Sequence, residues 1–216
     1  PETPPARVRI AVAQDKAFCF TYAETLEAFR DAGAEVVFFS PLRDTALPEN
    51  IGGLYLPGGY PELHARELSG NTSLLREIKQ KIESGLPTAA ECGGFLYLGQ
   101  SLTDAEGQSW PMAGVLPGEA KDAGRLVRFG YATLSADSDS LLFRAGESVP
   151  IHEFHHWDST ANGTALAAKK PVGGAAWRCG FVNEHFYAGF PHLYWAGTPL
   201  PQRFAAAAEN YRRDHD

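Results

Sequence analysis

Through the first half of the chain, short apolar runs with strand character alternate with segments of helical periodicity, and few folds accommodate that order. Residues 7–13 (RVRIAVA) read as a strand, residues 22–32 (YAETLEAFRDA) carry apolar side chains at helical spacing, and Gly33 closes that helix. Strands follow at 35–40 (EVVFFS) and 53–56 (GLYL), then an amphipathic helix at 74–84 (LLREIKQKIES) ended by Gly85, and a small-residued strand at 86–91 (LPTAAE). These strands are too uniformly apolar to keep one face in water. Burial on both faces predicts an α/β architecture, a doubly wound, mostly parallel sheet with flanking helices.

Beyond about residue 114, strand candidates crowd together at 126–134, 149–156, 165–169, 175–182 and 185–189. They predict an extension of the sheet or an antiparallel layer beside it, and residues 201–213 read as a closing helix. The proline-rich residues 1–6 (PETPPA) have the composition of a linker. Without an internal repeat or a second core, residues 7–216 are expected to form a single domain.

Composition narrows the partners. A net charge of −7 gives no electrostatic reason to expect nucleic acid or an anionic membrane surface. No apolar run approaches the roughly 20 residues that span a bilayer, and the N-terminal residues lack the basic-then-apolar order of a signal peptide. A cytoplasmic location is expected. The three cysteines, Cys19, Cys92 and Cys179, show no CxxC spacing, which suggests free thiols rather than a disulfide framework or a metal site. Cys19, between Phe18 and Phe20, reads as a buried apolar residue, and Cys179 carries no signal.

Cys92 is different. Ala90-Glu91-Cys92-Gly93-Gly94 has the small-x-nucleophile-x-Gly form of a nucleophile elbow at a strand-to-helix turn. Such a turn projects the thiol above a helix N-terminus, where the dipole is expected to lower its pKa. The N–H of Gly93 would supply half of an oxyanion hole. A lone cysteine beside glycines is most often just a small residue at a tight turn, so the reading needs support from elsewhere. Leu56-Pro57-Gly58-Gly59-Tyr60-Pro61-Glu62 ends the third strand and should lie on the same sheet edge, with the Gly59 N–H completing the hole. His192, after the last strand candidate, could hold the thiolate and protonate a leaving amine, with His152, His155 and His185 as competitors.

The blocks at 10–27 (IAVAQDKAFCFTYAETLE), 38–43 (FFSPLR), 54–63 (LYLPGGYPEL), 90–98 (AECGGFLYL), 114–117 (GVLP) and 152–155 (HEFH) occur in the order of a known family. The chain resembles the class I glutamine amidotransferases, in particular the C-terminal glutaminase half of the cobyrinic acid a,c-diamide synthase family of cobalamin-biosynthesis amidotransferases. The resemblance implies a flavodoxin-like fold and a glutaminase reaction. Cys92 would attack the side-chain amide of L-glutamine, His192 would protonate the departing ammonia, Gly59 and Gly93 would stabilise the oxyanion, and water would hydrolyse the thioester. Gly58, Tyr60, His152, Glu153, Phe154 and His155 would border the glutamine. Strand alternation sets His152 and Phe154 on one face and Glu153 and His155 on the other.

The resemblance also implies a partner, an ATP-dependent synthetase domain or subunit that amidates corrinoid or related tetrapyrrole carboxylates. ATP and Mg would bind only there, since this chain has no G-x-x-x-x-G-K-[ST] loop and is expected to hold no cofactor or metal itself. A homodimer of the full-length enzyme is compatible with this. Three positions depart from the family pattern. Tyr194 stands where many members have a glutamate that orients the histidine, which leaves Glu153 and Glu91 as open alternatives. Phe190-Pro191 replaces a more usual serine or tyrosine with leucine, and His156-Trp157 replaces a tyrosine and serine. Two other functions compete: a related cysteine hydrolase that does not use glutamine, and a docking module whose thiol is inert.

Overall fold

The computed structural model describes residues 4–216. The linker reading of residues 1–6 lies in part outside the described residues, and residues 4–6 are exposed and belong to no element. The strand–helix order of the first half emerges as β1 (Val8–Ala13), α1 (Ala23–Asp31), β2 (Ala34–Phe39) and β3 (Ile51–Leu56). A single 3-10 turn at Pro61–Leu63 and a short helix α2 (Ala65–Gly70), neither foreseen, lead into α3 (Thr72–Glu83), β4 (Thr88–Glu91) and α4 (Gly93–Tyr97). There follow β5 (Ser101–Thr103), β6 (Ser109–Pro111), β7 (Glu119–Asp122), β8 (Arg128–Ala136) and β9 (Ser148–His155). Then come β10 (Trp157–Ser159), β11 (Leu166–Lys169), β12 (Ala176–Cys179) and β13 (Phe181–Asn183). The chain closes with β14 (Phe186–Gly189), β15 (His192–Leu193) and α5 (Leu200–Asp214).

The central sheet runs β2-β1-β3-β4-β14 with every neighbour parallel, and β13 adds one antiparallel edge strand. This is the flavodoxin-like order, in which ligands bind beyond the carboxyl ends of the strands. Both faces are covered, as the uniform hydrophobicity required. Along β1, Val8, Ile10 and Val12 enter one core with Phe29, Trp195 and Phe204, while Ala11 and Ala13 enter the other with Leu74, Ile78 and Phe95. Each fully buried large apolar side chain contributes about 1.5–3 kcal/mol, so this two-sided packing is the main source of the sheet's stability. Helix α3 turns Leu74, Leu75 and Ile78 inward at helical spacing.

The antiparallel extension is a second sheet, β12-β11-β8-β9-β15. The candidate strand at 175–182 proves to be two strands in different sheets. Gly180, at φ 84°, breaks it, so that β12 pairs with β11 in the second sheet and β13 with β14 in the first. A small third sheet, β10-β7-β5-β6, was not foreseen because strands of three or four residues are too short for alternation to show. Cys19 corrects another expectation, being exposed. Its neighbour Phe18 takes the buried position, and Phe20 bridges to Gly58, which turns the residue between them outward.

Helix α4 sits directly on the end of β3, and a Cβ at Gly94 would lie 2.1 Å from the carbonyl oxygen of Leu56. Gly94→Ala is therefore expected to lose roughly 2–3 kcal/mol in denaturant unfolding through overpacking. Gly70→Ala, where nothing lies within 4 Å, should stay within about 0.5 kcal/mol of the parent. Equal stability of the two variants would contradict this account of the elbow.

Candidate active site

Cys92 follows the last residue of β4 in a left-handed conformation, φ 50° and ψ −105°. For a non-glycine residue this stores of order 1–3 kcal/mol of strain, which the surrounding structure must hold. Its N–H donates to Gly189 O at 2.9 Å, which ties the elbow to the end of β14. The loop after β3 meets it from the other side. A Cβ on Gly93 would sit 3.0 Å from Gly59 N and 3.4 Å from Gly58 C, so the Gly59 and Gly93 peptides face each other at contact distance. That loop is clamped in turn: Phe20 N–H donates to Gly58 O at 3.1 Å and Tyr60 N–H to Ala17 O at 3.0 Å. Neither the Gly59 nor the Gly93 amide donates to a backbone carbonyl among the described residues, which leaves two N–H groups beside the thiol.

These groups form the floor of a cavity of about 360 Å³, within the range of small-molecule sites. Gly59, Tyr60, Phe154 and His155 line it together with Cys92 and Gly93, as expected. Glu62, Asp122, His156 and Trp157 line it as well. The carboxylate of Glu62, within the glycine-rich loop on the ligand edge, was a readable signal; Asp122, at the end of a four-residue strand too short to read, had none. Of the expected site residues, Gly58, His152, Glu153 and His192 do not line the cavity. A Cβ on Gly58 would be 2.6 Å from His192 Cε1, so its missing side chain makes room for that imidazole.

His192 is placed by the second sheet. β15 pairs with β9 so that His192 stands opposite His152, which stands opposite Tyr131. Cross-strand partners share a face, giving a row of rings spaced 6.3 Å and 5.4 Å, and Phe20 packs on His192 at 5.6 Å. His192 thus packs against Gly58, in the same loop whose Gly59 meets Gly93, and no hydrogen bond joins thiol and imidazole. His185 is exposed beside Glu184 at the far end of β14 and takes no part.

The strand alternation at 152–155 is as expected: Glu153 and His155 are buried and Phe154 is exposed. His155 stacks flat on Phe190 at 3.6 Å. Its Nδ1 lies 2.7 Å from the Trp157 carbonyl oxygen, which only accepts, so that nitrogen carries a proton, and its Nε2 lies 3.2 Å from Glu153 Oε2. Phe190 therefore holds a ring of the pocket wall. Neither candidate orienting carboxylate bonds to the His192 ring. Glu153 is taken by His155, while Glu91 accepts from Leu193 N–H at 2.5 Å, from Trp195 Nε1 at 3.3 Å and from the Tyr55 hydroxyl. Tyr194 is stacked between Tyr22 and Tyr131.

The expectation of a lowered Cys92 pKa is reversed. Burial, reinforced by the carboxylates of Glu62 and Glu153, pushes the thiol up to about 12, and the Gly93 N–H offsets only part of this. Helix α4 has five residues, too short a dipole to win against desolvation. Burial, with the neighbouring imidazoles of His152 and His155, likewise lowers His192 to about 4. At neutral pH both groups are uncharged.

Residues 9–199 match the CobB/CobQ-like glutamine amidotransferase domain family. The chain is 42% identical, over 87% of its length, to a cobyrinate a,c-diamide synthase of Caldanaerobacter subterraneus subsp. tengcongensis, of which it covers 42%. It is 38% identical, over 94% of its length, to a hydrogenobyrinate a,c-diamide synthase of Thermobifida fusca, of which it covers 43%. The chain thus spans less than half the length of these curated relatives. In fold it is similar to PurLQS from Thermotoga maritima, with a TM-score of 0.61, 19% identity, and coverage of 94% of this chain and 98% of that one.

A neutral Cys92 thiol has a kinetic signature. In a Cys19→Ser background, alkylation of Cys92 by iodoacetamide is expected to accelerate steadily up to about pH 9 without a plateau near neutrality. A plateau below about pH 7 would reveal a preformed thiolate–imidazolium pair.

Proposed function

The chain belongs to the CobB/CobQ-like glutamine amidotransferase domain family, and from that premise we propose that it hydrolyses L-glutamine at Cys92. The observation that carries the reading is the pair of amides, Gly59 and Gly93, that donate to no backbone carbonyl among the described residues and line one cavity with a thiol on a strained elbow. With glutamine in that cavity, the Cys92 proton passes to His192 as Sγ bonds to the side-chain carbonyl carbon. The oxygen becomes an oxyanion and accepts from the two amides. Collapse breaks the C–N bond, His192 returns its proton to the leaving nitrogen, and ammonia departs. Water, deprotonated by His192, then cleaves the γ-glutamyl thioester to glutamate and restores the thiol. The starting pair is neutral, so the proton transfer belongs to the reaction and not to the resting site. Glu62 and Asp122 give the cavity two carboxylates suited to the α-ammonium of glutamine.

We further propose that the ammonia serves an ATP-dependent synthetase part of a longer cytoplasmic protein, where ATP and Mg bind and where corrinoid or related tetrapyrrole carboxylates are amidated. Support comes from the names of the relatives, cobyrinate and hydrogenobyrinate a,c-diamide synthases, and from the chain's matching less than half of each. No helix among the described residues is long and apolar enough to cross a membrane.

The test is mass spectrometry of the full-length enzyme after treatment with a glutamine-mimicking diazoketone. A single adduct on Cys92, suppressed by excess glutamine, is expected; an adduct that glutamine leaves undiminished would favour a different cysteine hydrolase, and no adduct a docking module. In Cys92→Ser, glutamine-dependent amidation should fall at least about 10³-fold while ammonia-dependent amidation persists. Glu62→Gln should raise KM for glutamine about ten- to a hundredfold with little change in kcat, as expected from loss of a charge-assisted contact made equally in ground and transition states. An unchanged KM would remove Glu62 from the binding site.

A further inference from the structure

In a nucleophile–histidine pair the imidazole must be held at one angle, a task that elsewhere falls to a carboxylate bonded to the ring. Among the described residues no carboxylate bonds to the His192 ring, and the position two residues on is Tyr194, stacked between two other tyrosines. His192 also lies on a strand of only two residues, too short to hold a side chain by pairing alone. What the structure does show is that both peptide groups flanking His192 are pinned by buried side chains. Leu193 N–H donates to Glu91 Oε2 at 2.5 Å, and the Tyr187 hydroxyl donates to Pro191 O at 3.0 Å. Glu91 and Tyr187 are each 1% exposed.

Glu91 stands immediately before Cys92, so one carboxylate touches the nucleophile's strand and the histidine's strand at once. Its other oxygen, Oε1, accepts from Trp195 Nε1 and the Tyr55 hydroxyl, which locks its rotamer from behind. A buried carboxylate is a costly means of filling space, because an apolar side chain of similar volume would avoid the desolvation. Here three donors from two segments distant in sequence, Tyr55 on β3 and Leu193 with Trp195 near the C-terminal helix, converge on it. From this geometry we infer that Glu91, assisted by Tyr187, is the positioning residue for His192, acting through the backbone on either side of the histidine instead of through its ring. The inference rests on the glutaminase reading and deepens it.

The experiment compares Glu91→Ala, Glu91→Gln and Tyr187→Phe in the full-length enzyme, each assayed with glutamine and with ammonia. Misplacing the imidazole by a fraction of an ångström should lower the glutamine-dependent kcat of Glu91→Ala by about 10²-fold with KM within about threefold of the parent. Glu91→Gln keeps an oxygen that can accept from Leu193 N–H but loses the charge, and should recover about tenfold of that loss, leaving kcat about tenfold below the parent. Tyr187→Phe should show a smaller fall in the same parameter. Ammonia-dependent activity, which needs the folded enzyme but not His192, should be unchanged in all three.

A parental kcat in Glu91→Ala would overturn the inference. So would parallel loss of kcat, KM and ammonia-dependent activity in both Glu91 variants, the pattern of a purely structural residue. Should Glu91→Ala fail to fold, Glu91→Gln decides: a selective fall in kcat supports the inference and parental kinetics overturn it. A parent enzyme that consumes no glutamine would overturn the glutaminase reading itself, and this inference with it.

Discussion

A parallel sheet of five strands, its inner strands buried on both faces, is the constraint from which the rest of the structure follows. Strands that run the same way end at the same edge, and their backbone groups beyond that edge must be satisfied by loops. Here the loop after β1, the glycine loop after β3, the elbow after β4 and the turn after β14 all emerge together. They hold one another through backbone bonds: Phe20 to Gly58, Tyr60 to Ala17, and Cys92 to Gly189. The fixed geometry around Cys92 is thus a by-product of closing the sheet's carboxyl edge.

The second sheet adds what the first cannot supply. It carries His155 to the cavity wall and His192 to the flank of the glycine loop, both by antiparallel pairing through β9. Its arrival also encloses the thiol, and enclosure sets the electrostatics. Removing water disfavours the thiolate, carboxylates at Glu62 and Glu153 disfavour it further, and the same enclosure disfavours a charged His192.

Glu91 shows how one buried polar group can serve fold and site together. Burial raises its pKa to about 7, while its three hydrogen bonds pull the other way, favouring the charged form. An environment so finely opposed is common at functional sites and uncommon in cores built for stability alone.

Much of this was legible in the residues themselves. The apolar runs at 7–13, 35–40, 53–56 and 86–91 announced a two-sided parallel sheet, because uniform hydrophobicity has no other economical use in strands of that length. Small residues around Cys92 announced the elbow, since only they tolerate a chain that comes within contact distance of itself, as Gly94 does with Leu56. The Gly59 and Gly93 pairing followed from placing two loops on one edge. Other features depend on atoms that sequence order does not bring together. The rise of the Cys92 pKa depends on Glu62 and Glu153, far from it along the chain; the exposure of Cys19 depends on how Phe18 and Phe20 turn. The strand break at Gly180 depends on which sheet each side finds. What the sequence by itself determined is the layered α/β plan and the strained turn that carries Cys92, because periodicity and steric tolerance are local properties of the chain. Which groups each buried carboxylate bonds, and which way burial moves the thiol's pKa, only the tertiary structure decided, because desolvation and hydrogen bonding are set by whatever the fold packs against a group.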